Sequence, residues 1–168
     1  MVYDIAITQF SKMLGNLSVI LDEGVKFAEA KKIEPAVLWN SRLAPDQFNL
    51  IRQVQIACDT AKLCAARLTG KEAPVHEDKE QTTAELKSRI ESVQTYLKTF
   101  KADDFKGFEE RKISQPRWEG KWITGSEYLN QHALPNIYFH VTTAYAILRH
   151  NGVEIGKKTY LGEMPYKK

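Results

Sequence analysis

The sequence predicts an all-α protein, a bundle of four long helices. Three observations carry that expectation. Four stretches place apolar residues three, four and seven apart, the spacing that lines one face of a helix. Short or medium connectors marked by proline and glycine separate these stretches. Hydrophobic residues make up 43% of the 168 positions, enough for one core that needs no disulfide or metal to form. At roughly 150 residues per domain, the chain 1–168 reads as a single domain.

The first helix is expected over 3–31. Phe10, Leu14, Leu17, Leu21 and Ala28 form its stripe, Ile20 and Val25 widen it, and Pro35 ends the pattern. Residues 36–44 are a connector too short for another bundle helix. The second helix is expected over 45–69, with Pro45 in the first turn, where a missing N–H costs nothing. Its stripe is Ile51, Val54, Cys58, Ala61, Ala65 and Leu68, and Gly70 and Pro74 stop it. These residues are mostly small, so a neighbouring helix can come close. The third helix, 80–100, carries Leu86, Ile90, Val93 and Leu97.

A long aromatic-rich connection, 101–124, joins helices three and four. It holds Phe105, Phe108, Trp118 and Trp122. A loop of that length is either functional or packed down, and the aromatics argue that it covers one end of the bundle. Ile113 to Ile123 fits a small hairpin around Pro116-Arg117-Trp118-Glu119-Gly120. The fourth helix is expected over 126–150, capped by Thr124 or Ser126 and closed by Gly152. Pro135 either kinks it or marks its true start. The tail 153–168 shows no period.

Composition excludes several classes of function. The 24 basic and 21 acidic residues give a net charge of +3. They alternate in sign along the chain, so no nucleic-acid surface is indicated. No apolar run approaches the roughly 20 residues that span a bilayer, and the first residues do not read as a signal peptide. Cys58 and Cys64 lie six apart, about 120° from sharing a helix face, so they should not bond, and the spacing is no zinc motif. A reduced, cytoplasmic protein fits best. Large aromatics outside the stripes, Trp39, Phe48 and Trp118, predict a homodimer that covers them.

The fourth helix is the odd one, because its stripe runs Leu129, Asn136, His140, Thr143 and Ile147. His132, Asn136 and His140 stand four apart, each step turning about 40°. A helix continuous through Pro135 gathers all three into one strip; a broken one drops His132. Imidazole and amide groups in such a strip can ligate a metal, bind a polar ligand, or form a buried network that fixes helix register. On the second helix, Asp46 and Gln53 are seven apart and about 20° apart around the axis. Gln53 is placed to face the strip. Asp46 has a competing role in the first turn, where the helix dipole favours a carboxylate. His76 and His150 read as solvated. The common hydrolase, P-loop, dinucleotide and zincin motifs are absent.

The segment Ala133-Leu-Pro-Asn-Ile-Tyr-Phe-His140-Val-Thr-Thr-Ala-Tyr145-Ala-Ile-Leu-Arg149-His-Asn-Gly152, with Arg42-Leu-Ala-Pro-Asp46, Gln53, Arg67-Leu-Thr-Gly70 and Gly156-Lys157…Tyr160-Leu-Gly162, resembles a branch of the DinB/YfiT-like superfamily. That branch is catalogued as a domain of unknown function. The resemblance covers nearly the whole chain and implies a single DinB-like four-helix bundle, often a dimer. The superfamily commonly holds a divalent metal with one histidine from helix two and an HxxxH pair on helix four. Some members use the metal to activate a small thiol. His140 matches the second histidine of the pair, Asn136 the first, and Gln53 the helix-two histidine. Amides are poor ligands for transition metals beside imidazole. No bound metal is therefore expected; if one is present, His140 is its ligand.

Three readings follow. The first is a degenerate metal site that now forms a small polar pocket for an unknown ligand, built from His140, Asn136, Gln53, Asp46 and His132. The second is a divalent-metal-dependent enzyme on a small molecule, such as a thiol transferase. The third is a structural or interaction module without a ligand.

Overall fold

The computed structural model describes residues 1–167. Four long helices form the expected all-α bundle: α1 (Phe10–Lys31), α3 (Leu50–Thr69), α4 (Thr83–Leu97) and α6 (Leu134–His150). Around the ring α1 packs on α4, α4 on α3, α3 on α6 and α6 back on α1. The stripes read from the sequence point inward. Leu14, Leu17, Leu21, Leu86, Val93, Leu97, Leu129 and Ile147 are all buried. On α3 the small residues Ala57, Cys58, Ala61, Cys64 and Ala65 are fully buried, which lets α6 lie close along it. The two cysteines are unpaired and buried, and burial pushes the Cys58 thiol up to about 12.

Helix two starts later than Pro45. Residues 45–46 form a turn, in which Arg42 donates to the carbonyls of Pro45 and Gln47. The helix is capped by Asn49, whose side-chain oxygen accepts from the Arg52 N–H at 3.1 Å. An asparagine that satisfies an orphan N–H outranks a proline that only tolerates the position. The first-turn role read for Asp46 is thus wrong: that carboxylate is exposed, outside the helix. The connector before it contains the single-turn α2 (Pro35–Trp39). It carries Trp39 into the core, where the indole N–H donates to the Thr83 hydroxyl at 3.0 Å. Gly24 of α1 makes room, since a Cβ there would sit 3.0 Å from the indole ring.

The 101–124 connection is packed down, with Phe105 and Ile113 buried. It contains the expected hairpin: β1 (Lys112–Ile113) pairs antiparallel with β2 (Ile123–Thr124), Ile113 opposite Ile123. A 3₁₀ turn, Pro116–Trp118, forms its tip. Thr124 then caps α5 (Gly125–Glu127) through a reciprocal pair with Glu127.

From Gly125 to His150 the backbone remains right-handed helical, but Tyr128–Ala133 is a π-helical segment. Pro135 follows it in the first turn of α6. A proline lacks the N–H that would bond one turn back, and a widened π turn absorbs that mismatch without breaking the helix. The tail also holds a short helix, α7 (Lys157–Leu161), packed on α1 and tied by the Asn16 amide to the Tyr160 carbonyl at 2.9 Å. No described helix is long and apolar enough to cross a membrane.

Candidate functional site

The site lies between α3 and the 128–140 stretch, beneath the tip of the hairpin. His140 occupies a core position of α6 and is 7% exposed, and Gln53 of α3 is 1% exposed. His140 Nδ1 donates to Gln53 Oε1 at 2.7 Å, and the same amide donates its N–H to the Phe48 carbonyl at 3.0 Å. Because the amide oxygen can only accept, the His140 proton sits on Nδ1 and Nε2 carries the lone pair. Burial, aided by the Arg52 charge, lowers the His140 pKa to about 4. The ring is therefore neutral near pH 7.

One turn earlier, Asn136 donates to the Thr60 hydroxyl at 2.7 Å, and Thr60 passes its own proton to the Ile56 carbonyl at 2.7 Å. His132, one further turn back on the π segment, stacks on Tyr128 with ring centres 5.2 Å apart. Its Nε2 accepts from Arg117 at 2.8 Å. Burial and the charges of Arg117 and Arg67 lower the His132 pKa.

His132, Asn136 and His140 all line one cleft of about 320 Å³. The helix continuity through Pro135 is what keeps His132 with the other two. Gln53 underlies the cleft floor through His140. Asp46 does not reach it: the carboxylate stands in the exposed turn ahead of α3 and is not among the lining residues. The second helix was expected to start at 45; its later start removes Asp46 from the face that Gln53 occupies.

The remaining lining includes Thr60, Arg67, Tyr128 and Arg117, which the sequence reading did not single out. Thr60 and Arg67 had a signal. They continue from Gln53 at steps of seven, and each such step drifts only about 20° around a helix. Arg117 had none, because it arrives on the hairpin tip. His76 also differs from expectation. It is half-buried, bridging the Lys62 ammonium at 2.9 Å and the Ser92 hydroxyl at 3.1 Å.

The donor set does not fit the metal that the resemblance implies. Gln53 Oε1 is committed to the His140 N–H, and its amide nitrogen to a carbonyl. The one carboxylate lining the cleft, Asp59, is held by Arg89 at 2.9 Å and Lys62 at 2.8 Å. No group of three or more His, Cys, Asp or Glu side chains is arranged to hold a metal ion among the described residues.

The bundle defines a DinB-like helical protein. A family model described as a domain of unknown function (DUF1993) matches residues 2–161, and the chain belongs to that family. A crystal structure of a DinB family member protein from Shewanella denitrificans is 62% identical, covering 100% of this chain and 96% of that one with a TM-score of 0.97. No curated protein matches the chain.

Proposed function

We propose that the protein is a ligand-binding DinB-like bundle in which the metal corner has become a small polar pocket. The observation that carries this reading is the 2.7 Å bond from His140 to Gln53. It replaces two ligating groups by one neutral, hydrogen-bonded floor and leaves His140 Nε2 as a free acceptor on the cleft. Burying such groups without partners would cost roughly 1–3 kcal/mol each, so the network also holds the floor rigid.

A thermal-shift screen of small polar molecules tests it. Compounds that stabilise the wild type should lose their effect in Asn136→Leu and His140→Phe. A screen with no such compound favours a purely structural network. Elemental analysis tests the enzyme alternative: stoichiometric zinc or nickel, lost on His140→Ala, would overturn the degenerate-site reading and favour a metal-dependent enzyme.

Two further parts of this reading concern setting. Two free, buried cysteines suit a reducing cytoplasm. A homodimer now rests on fewer aromatics than the sequence offered, since Trp39 is buried and Trp118 packs on the core. Of those, Phe48 remains at 57% exposure on the cleft, joined by Phe139 at 56%, next to His140. Light scattering that returns the 19.2 kDa chain mass at micromolar concentration would remove the dimer.

A further inference from the structure

We infer that the His132 end of the cleft takes a small molecule bearing an anionic head, a carboxylate or a phosphate, clasped between Arg67 and Arg117. This rests on the pocket reading above and names the chemical class of its ligand.

Arg67 and Arg117 both line the cleft. Neither forms an ion pair among the described residues. Arg67 instead donates to the Tyr128 hydroxyl at 2.9 Å, with its guanidinium 5.5 Å from the centre of that ring. Arg117 donates to the neutral His132 ring. On the other side of α3 the cations are paired: Arg89 contacts three carboxylates and Arg52 one. Asp59, the carboxylate on the lining, is met at Oδ1 by two cations of its own, Arg89 and Lys62.

The hydrogen-bond balance points the same way. Arg117 donates to His132 Nε2, so the proton of the neutral ring lies on Nδ1, and that atom is buried with no partner. This end of the cleft therefore has more donors than acceptors. The two arginines reach it from different elements, the last turn of α3 and the hairpin tip, and both lower the His132 pKa. Two converging guanidinium groups in a half-enclosed polar site match an oxyanion, whose several lone pairs accept forked donors.

Size and the opposite wall limit the rest of the ligand. About 320 Å³ lies near the lower end of the range for small-molecule sites, roughly 300–1,000 Å³. Phe48, Ile56 and Leu63 supply an apolar wall. A compact acid with a short apolar body fits; a polymer or a dinucleotide does not.

The test uses the full chain and three probes: benzoate, its neutral counterpart benzamide, and inorganic phosphate. Calorimetry should show binding of at least one anion, with benzoate preferred if the head is a carboxylate and phosphate if it is a phosphoryl group. Added sodium chloride should weaken that binding, and benzamide should bind at least tenfold more weakly than benzoate if benzoate is the anion held. Arg117→Gln and Arg67→Gln should each lower the affinity at least tenfold. The exposed Arg117 variant should keep the unliganded melting temperature, so that its loss of binding is not a loss of fold. Carbon-13 NMR titration should show the His132 pKa rising when the anion is bound, because the anion offsets both guanidinium charges. Benzamide binding as tightly as benzoate, or anion binding unchanged in Arg117→Gln, would overturn the inference while leaving the pocket itself standing. Binding of neither anion at millimolar concentration would also overturn it, and the separate library screen would still decide the pocket.

Discussion

Two polar regions flank α3, and they handle charge in opposite ways. Toward α4, Arg89 is buried and reaches Asp59, Asp78 and Glu80, each at 2.9 Å. Arg52 and Lys62 join the same cluster, so its three carboxylates face three cations. Toward α6, the cleft holds neutral His132 and His140, two amides, and two arginines without carboxylate partners among the described residues. The first region is balanced internally, and its product is structural: it straps the 70–82 loop across the edge of the bundle. The second is balanced in hydrogen bonds at its floor but not in charge at its rim. Charge neutralised within the fold serves the fold, whereas charge left over on a cleft is available to a ligand.

The largest expected effect breaks the first region. Arg89→Ala leaves three partly buried carboxylates without their shared cation and should cost about 3–5 kcal/mol. Urea denaturation measures this, and hydrogen exchange in 70–82 should rise with it. A loss below about 1 kcal/mol, the range of exposed ion pairs, would mean that the strap behaves as surface charge.

Next in size is the floor of the cleft. Gln53→Leu strands the His140 N–H and should cost about 1–3 kcal/mol, whereas replacing both partners by apolar groups of similar shape can be nearly neutral. Gln53→Leu with His140→Leu should therefore recover most of that loss in a double-mutant cycle. A double variant as unstable as the sum of the singles would show that the two groups do not act as a pair.

The two regions should also separate on acid titration. The folded-state pKa of His140 is lowered from 6.5 to about 4, so the unfolded chain takes up a proton first. Stability should be complete above pH 6.5 and decline as the pH falls toward 4. At Asp78, burial opposes ionisation, but hydrogen bonds from Arg52 and Arg89 outweigh it and its pKa is lowered. At Glu80, burial is likewise outweighed, chiefly by the hydrogen bond from Arg89. Their contribution is present above the ordinary carboxylate range of about 4 and is lost as the pH falls through their lowered values. His140→Gln should shrink the upper window, leaving the smaller share of His132 and His76, whose pKa values are also lowered, and should leave the lower one. Melting temperatures across pH 3–8 would check this, and a single unshifted acid transition in both proteins would contradict it.

The smallest expected effect is Arg117→Gln, within about 0.5 kcal/mol of wild type, since this exposed side chain bonds only the His132 ring. A large loss would make Arg117 a structural residue and weaken its assignment to a ligand.

Much of the fold was legible in advance because helix periodicity is local. Leu14, Leu17 and Leu21, or Leu86, Ile90 and Val93, reveal their buried faces by spacing alone. The polar strip of His132, Asn136 and His140 was legible for the same reason, as was Gln53 as a side chain facing it. Asp46 misled because Pro45 fits a first turn, while the cap that starts the helix, Asn49, lies four residues further on. Thr82 and Glu85 also form a capping box at the start of α4, a local signal that places the helix start at 83 rather than 80.

By itself, then, the sequence determined which segments are helical, which faces they bury, and that one face of the last helix is polar where packing alone would make it apolar. Only the tertiary structure decided what that polar face meets. Arg117 joins His132 because a hairpin folds its tip over the helix, and Arg67 joins them because α3 lies along that helix. Arg89 collects its carboxylates from α3 and a loop. Periodicity fixes neighbours one turn apart within a helix, but the meeting of side chains from different elements depends on how those elements pack, and no local spacing encodes that distance.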